Sequence, residues 1–210
     1  MRKVFRTEPD INNELILLDP VLKKIINACG PLEVELSTDY FSFLSRSIIG
    51  QQLSNKVAFV IWNRLLSLMD GEPSPQKLIS LEDEKLREIG VSYSKIGYLK
   101  NLSSAVLNNE ICLDNLEGIE NEEIVKNLTK VKGIGQWTAE MFLIFCLGRR
   151  DVFSLGDGGL QRSIKWLYRL DEVPKRKQLM QISEKWKPYR TFASLYLWEA
   201  INKNLINRNF

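Results

Sequence analysis

The segment LTKVKGIGQWTAEMFLIF, Leu128–Phe145, constrains the fold more than any other part of the chain. A helical pattern ends near its first residue, a tight loop with Gly133 and Gly135 follows, and a second helical pattern begins at once. Glycines permit a positive φ and leave no Cβ in the way of an approaching group. Backbone N–H groups at the start of the second helix can hold an anion such as a phosphate, beside Lys130 and Lys132. A glycine-rich turn that only joins two core helices is the alternative.

Nearly all of the remaining chain has the apolar spacing and the caps of α-helices, which predicts an all-α fold. Asp19-Pro20 predicts a helix start with Gly30 as its end, and Ser37–Asp39 predicts the start of the next helix. Ser54 predicts the cap of a helix whose apolar positions are dense enough for a buried helix. We find no convincing alternating strand pattern, and only the first residues and Ile111–Leu116 leave room for a short strand.

The composition excludes several classes of enzyme. The chain has no histidine, which rules out Ser-His-Asp and Cys-His nucleophile systems and the usual histidine-bearing zinc sites. Three scattered cysteines, Cys29, Cys112 and Cys146, form no CxxC pair, which is typical of reduced thiols in a cytoplasmic protein. No apolar run approaches the ~18 residues of a membrane span, and no apolar segment follows the early positive charges as it would in a secretory signal.

Positive charge is concentrated toward the C-terminus. The whole chain has a net charge of +3, whereas residues 149–210 contain 13 Lys and Arg against 6 Asp and Glu. A basic half favours a polyanionic partner such as nucleic acid, although a solvated basic surface would have the same composition.

Asp157 is the candidate catalytic residue in the segment GRRDVFSLGDGGLQRSIKWLY, Gly148–Tyr168. It begins an amphipathic helix, where aspartate is a favoured N-cap, and this role alone would be purely structural. The helix N-terminus also stabilises the carboxylate as an anion. A fixed anion can stabilise the positive charge that develops on a sugar when an N-glycosidic bond breaks. Asp151 is the competing acid in this segment.

The GIG-x-WTA hairpin is followed by a D-x-F-x-x-x-D string made by Asp151, Phe153 and Asp157. This combination resembles the helix-hairpin-helix (HhH-GPD) superfamily of DNA glycosylases, and within it the 3-methyladenine DNA glycosylase II branch, over about Asp19 to Trp198. The resemblance implies an all-α fold of two helical lobes, residues 38–145 with the hairpin and residues 1–37 together with 146–210. We expect it to lack the branch's N-terminal sheet domain, since too few residues precede Asp19 to build it.

The resemblance implies a monofunctional enzyme of base excision repair. Asp157 takes the position of the family's catalytic aspartate, and Asp151 that of a structural one. Members that also cleave the strand have a lysine where this chain has Trp137. We therefore expect hydrolysis of the N-glycosidic bond of damaged, alkylated purines in duplex DNA, which leaves an abasic site. The alternatives are another lesion (8-oxoguanine, uracil or hypoxanthine) or a non-catalytic DNA-binding module, in which an anion facing DNA would serve no purpose.

The resemblance also assigns the remaining site residues. Trp137, Trp198 and Met141 fall at base-pocket positions, the last where the family has a tyrosine, and electron-rich rings suit cationic alkylated bases. Gln52 or Leu53 is expected to fill the gap left by a flipped base. A role in the core is the alternative for Leu53 and for each tryptophan. The expected DNA-contacting positions are Gln51, Gln52, Leu53, Lys95, Lys132, Gly133, Ile134, Gly135 and Gln136.

We expect no required cofactor. The resemblance implies a structural Na⁺ or K⁺ on the backbone carbonyls of Thr129, Val131 and Ile134. It implies no iron–sulfur cluster, because a four-cysteine cluster near the C-terminus is lacking. The expected partner is duplex DNA that contains a damaged base, bound by a monomer in the cytoplasm in association with the nucleoid.

Overall fold

The computed structural model describes residues 3–207, and within that range the chain forms two compact units. Unit 1 comprises residues 3–36 and 143–207, and unit 2 comprises residues 37–142. No helix in the described range is long and apolar enough to cross a membrane.

Helices make up most of both units. In chain order they are α1 (Pro9–Leu18), α2 (Lys23–Cys29), α3 (Tyr40–Gly50), α4 (Asn55–Leu68), α5 (Pro75–Ser80), α6 (Asp83–Glu88), α7 (Tyr93–Leu107), α8 (Asn121–Leu128), α9 (Gln136–Phe145), α10 (Gly158–Leu167), α11 (Arg176–Glu184) and α12 (Arg190–Asn202). Short 3₁₀ turns cover Pro20–Leu22 and Leu205–Asn207. The predicted helical fold class is thereby confirmed.

The side chains that the sequence predicts as helix caps act as caps. Asp19 Oδ1 accepts the N–H of Val21 at 3.2 Å, and Asp39 Oδ1 accepts the N–H of Ser42 at 2.9 Å. Gly30 ends α2 with a φ of 71°, a conformation that glycine adopts without a steric cost. Local sequence therefore sets the ends of these helices.

A small antiparallel sheet in unit 1 agrees with the sequence prediction in its first strand, which lies in the first residues of the chain, and departs from it in its second. β1 (Val4–Arg6) pairs with β2 (Glu33–Glu35), whereas no strand forms at Ile111–Leu116. The alternation Leu-Glu-Val-Glu-Leu over residues 32–36 is the period-2 signal that our interpretation missed. Helix α1 was not predicted either, although Pro9 at its first position is a common start signal.

Helix α4 is not the buried helix that its apolar density predicts. Ile61, Trp62 and Leu65 are buried, but Val57 is 44% exposed and Phe59 is 54% exposed. In unit 2, α4 packs against α3. A helix with one main neighbour buries one stripe of side chains, and its other apolar positions remain in solvent.

The core of unit 1 centres on α12, which packs against α10 and α2. Its buried side chains include Phe192, Tyr196 and Leu197, which lie in one cluster with Leu160 and Ile164 of α10. The Ser163 hydroxyl donates to the Leu197 carbonyl at 2.9 Å, which adds a polar tie between the two helices. The position of α10 is thus set mainly by α12.

A buried carboxylate joins distant parts of unit 1. Asp19 Oδ2 accepts hydrogen bonds from the Tyr168 hydroxyl and, at 3.2 Å, from Trp186 Nε1. Burial, and next the hydrogen bond to Asp19, raise the pKa of the Tyr168 hydroxyl. The phenol therefore remains a donor throughout the neutral pH range, and the cluster stays bonded.

We expect Asp19→Ala to lower the free energy of unfolding by about 3 kcal/mol, because it removes the acceptor of the buried Trp186 indole N–H and of the partly buried Tyr168 hydroxyl. Asp171→Ala, which removes an exposed carboxylate of the same unit, is the matched control and should change stability by less than about 0.5 kcal/mol. Urea titration of both variants checks this. Equal effects of the two substitutions would contradict it.

Candidate active site

Asp157 lies at the N-terminus of α10 and is buried. Its Oδ1 accepts the backbone N–H of Leu160 at 2.7 Å, which is the N-cap bond. The same oxygen accepts the Nε1–H of Trp198, on α12, at 3.1 Å. Two N–H donors from different helices thus fix the orientation of one carboxylate.

A pocket of about 650 Å³ in unit 1 has Asp157 and Trp198 in its lining, together with Phe145, Gly159 and Arg162. The ring centroids of Phe145 and Trp198 are 5.8 Å apart. The structure therefore brings together the predicted catalytic residue and one predicted base-pocket residue.

Arg162 and Gly159 belong to this site, and our sequence interpretation did not single them out. Arg162 lies four residues after Gly158, on the same side of α10. A Cβ on Gly159 would lie 3.0 Å from Asp157 Oδ1 and 3.5 Å from Trp198 Cδ1. The paired glycines after Asp157 were the available signal, since an absent side chain often marks a close approach.

Asp151, the competing acid, is held in an ion pair. Arg190 Nε donates to Oδ1 at 2.6 Å and Arg190 Nη2 donates to Oδ2 at 3.0 Å. Next to it, Thr191 Oγ1 donates to the Arg149 carbonyl at 2.6 Å. These bonds fasten the loop before α10 to the start of α12, which is a structural task.

The glycine hairpin lies in unit 2, between α8 and α9. Gly133 has a φ of +110°, and a Cβ there would lie 2.4 Å from Tyr98 Cγ, so only glycine fits. A Cβ on Gly135 would meet no atom within 4 Å. The two glycines therefore differ, because the first is required by packing and the second leaves open space.

The other hairpin residues divide into buried and exposed positions. The side chains of Val131 and Ile134 are buried, whereas Lys132 and Gln136 are exposed. Ile134 can thus offer only its backbone to a partner. The buried pair holds the turn while Lys132 and the first residues of α9 face solvent.

The predicted cation ligands are backbone carbonyls, and their chemistry fits Na⁺ or K⁺. The Val131 carbonyl accepts the N–H of Ile134 at 3.0 Å. A carbonyl oxygen has two lone pairs, so this bond is compatible with a second partner. Within residues 3–207, no group of three or more acidic, cysteine or histidine side chains could hold a metal ion.

The loop after α3 contacts the hairpin through Gln51, whose Nε2 donates to the Gly133 carbonyl at 2.8 Å. Gln52 follows in the left-handed region with a φ of 58°, and Leu53 is 37% exposed. The two candidate wedge residues are therefore both accessible, on a loop whose first residue is tied to the hairpin.

Lys95 is engaged within unit 2. Its Nζ donates to the carbonyls of Ile49 at 2.8 Å and Gln51 at 2.7 Å, at the end of α3. Burial lowers the pKa of this amine. These bonds support the loop that begins at Gln51, and the expected contact of Lys95 with DNA stays a prediction.

Trp137 lines a second pocket, of about 1060 Å³, in unit 2, together with Gln51, Gln52 and Tyr98. The indole is 48% exposed, whereas Met141, one turn later on α9, is 5% exposed. Trp137 therefore presents an aromatic surface to solvent, and Met141 lies beneath the surface. The two predicted base-pocket tryptophans line different pockets, one in each unit.

We expect Gly133→Ala to destabilise the protein by about 2 kcal/mol or more, since alanine disfavours the positive φ and its Cβ would overlap Tyr98. Gly135→Ala is the matched control, with stability within about 0.5 kcal/mol of the parent. Thermal and urea unfolding of the pair measure the difference. A harmless Gly133→Ala, or an equally damaging Gly135→Ala, would refute the geometry.

Comparison with known proteins identifies the family of the chain. The family model of the HhH-GPD superfamily base excision DNA repair proteins matches residues 45–188. The chain is 34% identical to DNA-3-methyladenine glycosylase 1 of Schizosaccharomyces pombe over 189 residues, which are 87% of this chain and 83% of that protein.

Two solved structures are similar over nearly their whole length. The crystal structure of a DNA-3-methyladenine glycosidase from Bacillus halodurans has a TM-score of 0.86 at 39% identity, covering 97% of this chain and 94% of that one. The Schizosaccharomyces pombe 3-methyladenine DNA glycosylase in complex with abasic DNA has a TM-score of 0.82 at 32% identity, with 92% and 97% covered. The chain belongs to the HhH-GPD superfamily of base excision DNA repair proteins.

Proposed function

We propose that the protein is a monofunctional DNA glycosylase that hydrolyses the N-glycosidic bond of alkylated purines in duplex DNA and leaves an abasic site. The single observation that supports this most is the Asp157 carboxylate, fixed on a pocket wall by the N–H groups of Leu160 and Trp198. The relatives named for 3-methyladenine support the substrate class. Trp137, at the position where strand-cleaving members have lysine, supports hydrolysis without strand cleavage.

The proposed reaction uses Asp157 as a fixed anion. The bond between C1′ and the base nitrogen breaks, and its electron pair leaves with the base. Positive charge then develops on the sugar, where the Asp157 carboxylate stabilises it. Water adds to C1′, and its proton passes to the Asp157 carboxylate and from there to solvent. A purine that is cationic through alkylation departs as a neutral molecule, so its departure needs no added proton.

We propose that Trp137 stacks against the target base once it leaves the duplex. Base flipping costs a few kcal/mol, and stacking on an aromatic side chain offsets part of that cost. The half-exposed indole of Trp137 has the accessible surface that stacking requires. An electron-rich face attracts a cationic ring more strongly than a neutral one, which favours alkylated bases. Met141 would contribute to the pocket only from beneath that surface.

We propose that the hairpin binds the DNA backbone. The open space over Gly135 lets a phosphate approach the backbone N–H groups at the start of α9, with Lys132 beside them. Thr129, Val131 and Ile134 would hold a Na⁺ or K⁺ through their carbonyls, which would strengthen the local attraction for phosphate. Such contacts do not depend on sequence, and binding should weaken with salt.

The exposed loop residues Gln52 and Leu53 are our candidates for the wedge that fills the gap left by the flipped base. Gln51 supports this loop through its hydrogen bond to the Gly133 carbonyl, and Lys95 supports it through a bond to the end of α3.

We infer that the protein acts as a monomer, in the compartment that holds the cell's DNA.

Asp157→Asn should lower the single-turnover rate of base release by about 100-fold or more, because the amide removes the charge that faces the sugar. Asp151→Asn is the matched control: it weakens the ion pair with Arg190 and lowers stability, but the folded fraction should keep a rate near the parent's. Release of 3-methyladenine and 7-methylguanine from methylated duplex is measured chromatographically, and the strands are checked for nicks.

A fully active Asp157→Asn variant would overturn the catalytic assignment and make Asp151 the next candidate. Nicked strands would overturn the monofunctional assignment. If the parent protein binds methylated duplex but releases no base, duplexes with 8-oxoguanine, uracil and hypoxanthine are tested next. Binding of all of them without release would identify a DNA-binding module.

A further inference from the structure

Trp198 donates a hydrogen bond to Asp157, and a tryptophan that only stacked on a base would not need this bond. Trp198 Nε1 donates to Oδ1 at 3.1 Å, and the N-cap bond from Leu160 reaches that same oxygen at 2.7 Å. The Trp198 donor comes from a different helix than the N-cap donor and further restricts rotation of the carboxylate group.

Several contacts hold the indole in place to make this bond. Phe145 lies beside the ring, with centroids 5.8 Å apart and an interplanar angle of 32°. The preceding residue, Leu197, receives the Ser163 hydroxyl bond at 2.9 Å, which pins α12 to α10. Gly159 has no side chain, and a Cβ there would lie 3.5 Å from Trp198 Cδ1 and 3.0 Å from Asp157 Oδ1. The indole is therefore packed so that its N–H points at the carboxylate.

We propose that Trp198 is a positioning residue that acts through Asp157, rather than by stacking on the base. This inference rests on the proposed function, in which the Asp157 carboxylate faces the sugar. A carboxylate that is free to turn spends less time where it can stabilise the cationic sugar, and small misplacements of a catalytic group are costly in rate. The indole N–H is the essential group, while the ring provides packing against Phe145.

The test uses Trp198→Phe, which keeps an aromatic ring beside Phe145 and removes the N–H donor. Two uncleavable duplexes serve as probes. In one duplex, an uncharged tetrahydrofuran ring replaces the damaged nucleoside. The other has a pyrrolidine, whose protonated nitrogen imitates the charge of the cationic sugar. The ratio of the two dissociation constants reports how well the Asp157 carboxylate is placed, independently of overall DNA binding.

The parent protein should bind the pyrrolidine duplex more tightly than the tetrahydrofuran duplex. Trp198→Phe should reduce that preference about tenfold and lower the single-turnover rate of base release similarly, as expected for a lost hydrogen bond to a charged group. Binding of the tetrahydrofuran duplex should not change. Trp166→Phe, which removes an indole from elsewhere on α10, should behave as the parent, and thermal unfolding verifies that both variants fold.

A double-mutant cycle separates this inference from other roles of Trp198. If the indole acts through Asp157, Trp198→Phe should have no further effect on the pyrrolidine preference in the Asp157→Asn background. A preference that Asp157→Asn abolishes but Trp198→Phe leaves intact would overturn the inference and keep the proposed function. Equal weakening of both duplexes by Trp198→Phe, additive with Asp157→Asn, would also overturn it and indicate stacking or packing. No pyrrolidine preference in the parent, together with an active Asp157→Asn variant, would reject the catalytic assignment of Asp157 within the proposed function, and the inference with it.

Discussion

The attachment of the loop before α10 to helix α12 is the constraint on which the candidate active site depends. Arg190 binds Asp151 at the start of α12, and Trp198 binds Asp157 two turns later. Between these two points the loop turns and enters α10, whose first N–H groups need a cap. One helix thus holds both acids of the D-x-F-x-x-x-D string, with Asp151 neutralised by a guanidinium and Asp157 on a pocket wall. The same residue type has two roles because its partners differ.

The hairpin of unit 2 has a different structural feature, which is exposed backbone beside Gly135. Gly133 fits under Tyr98 only because it has no Cβ, and its carbonyl is occupied by Gln51. Lys95 then holds the end of α3, so the hairpin and the loop with Gln52 form one bonded assembly within the unit. An enzyme that inspects bases in any sequence benefits from contacts that read only the phosphate backbone. We propose that the hairpin provides such contacts without sequence preference.

Local features of the chain were predictable, and features that depend on packing partners were not. The caps at Asp19 and Asp157 follow from side-chain chemistry within a few residues, so the sequence predicts them directly. The strand at Glu33–Glu35 also had a local signal, and our interpretation missed it. The engagement of Lys95 with α3, by contrast, depends on which helix ends lie nearby. The same holds for the indole N–H of Trp198, because nothing in its neighbouring sequence indicates that a carboxylate 41 positions away accepts it.

The central claim is that the Asp157 carboxylate, held by the N–H groups of Leu160 and Trp198, faces the sugar whose glycosidic bond is broken. A crystal structure of the protein bound to duplex DNA with a pyrrolidine abasic mimic tests this most directly. The account predicts a carboxylate oxygen of Asp157 about 3 Å from the pyrrolidine nitrogen, with the indole N–H still on Oδ1. An Asp157 carboxylate more than about 6 Å from that nitrogen, or Asp151 in its place, would contradict the account.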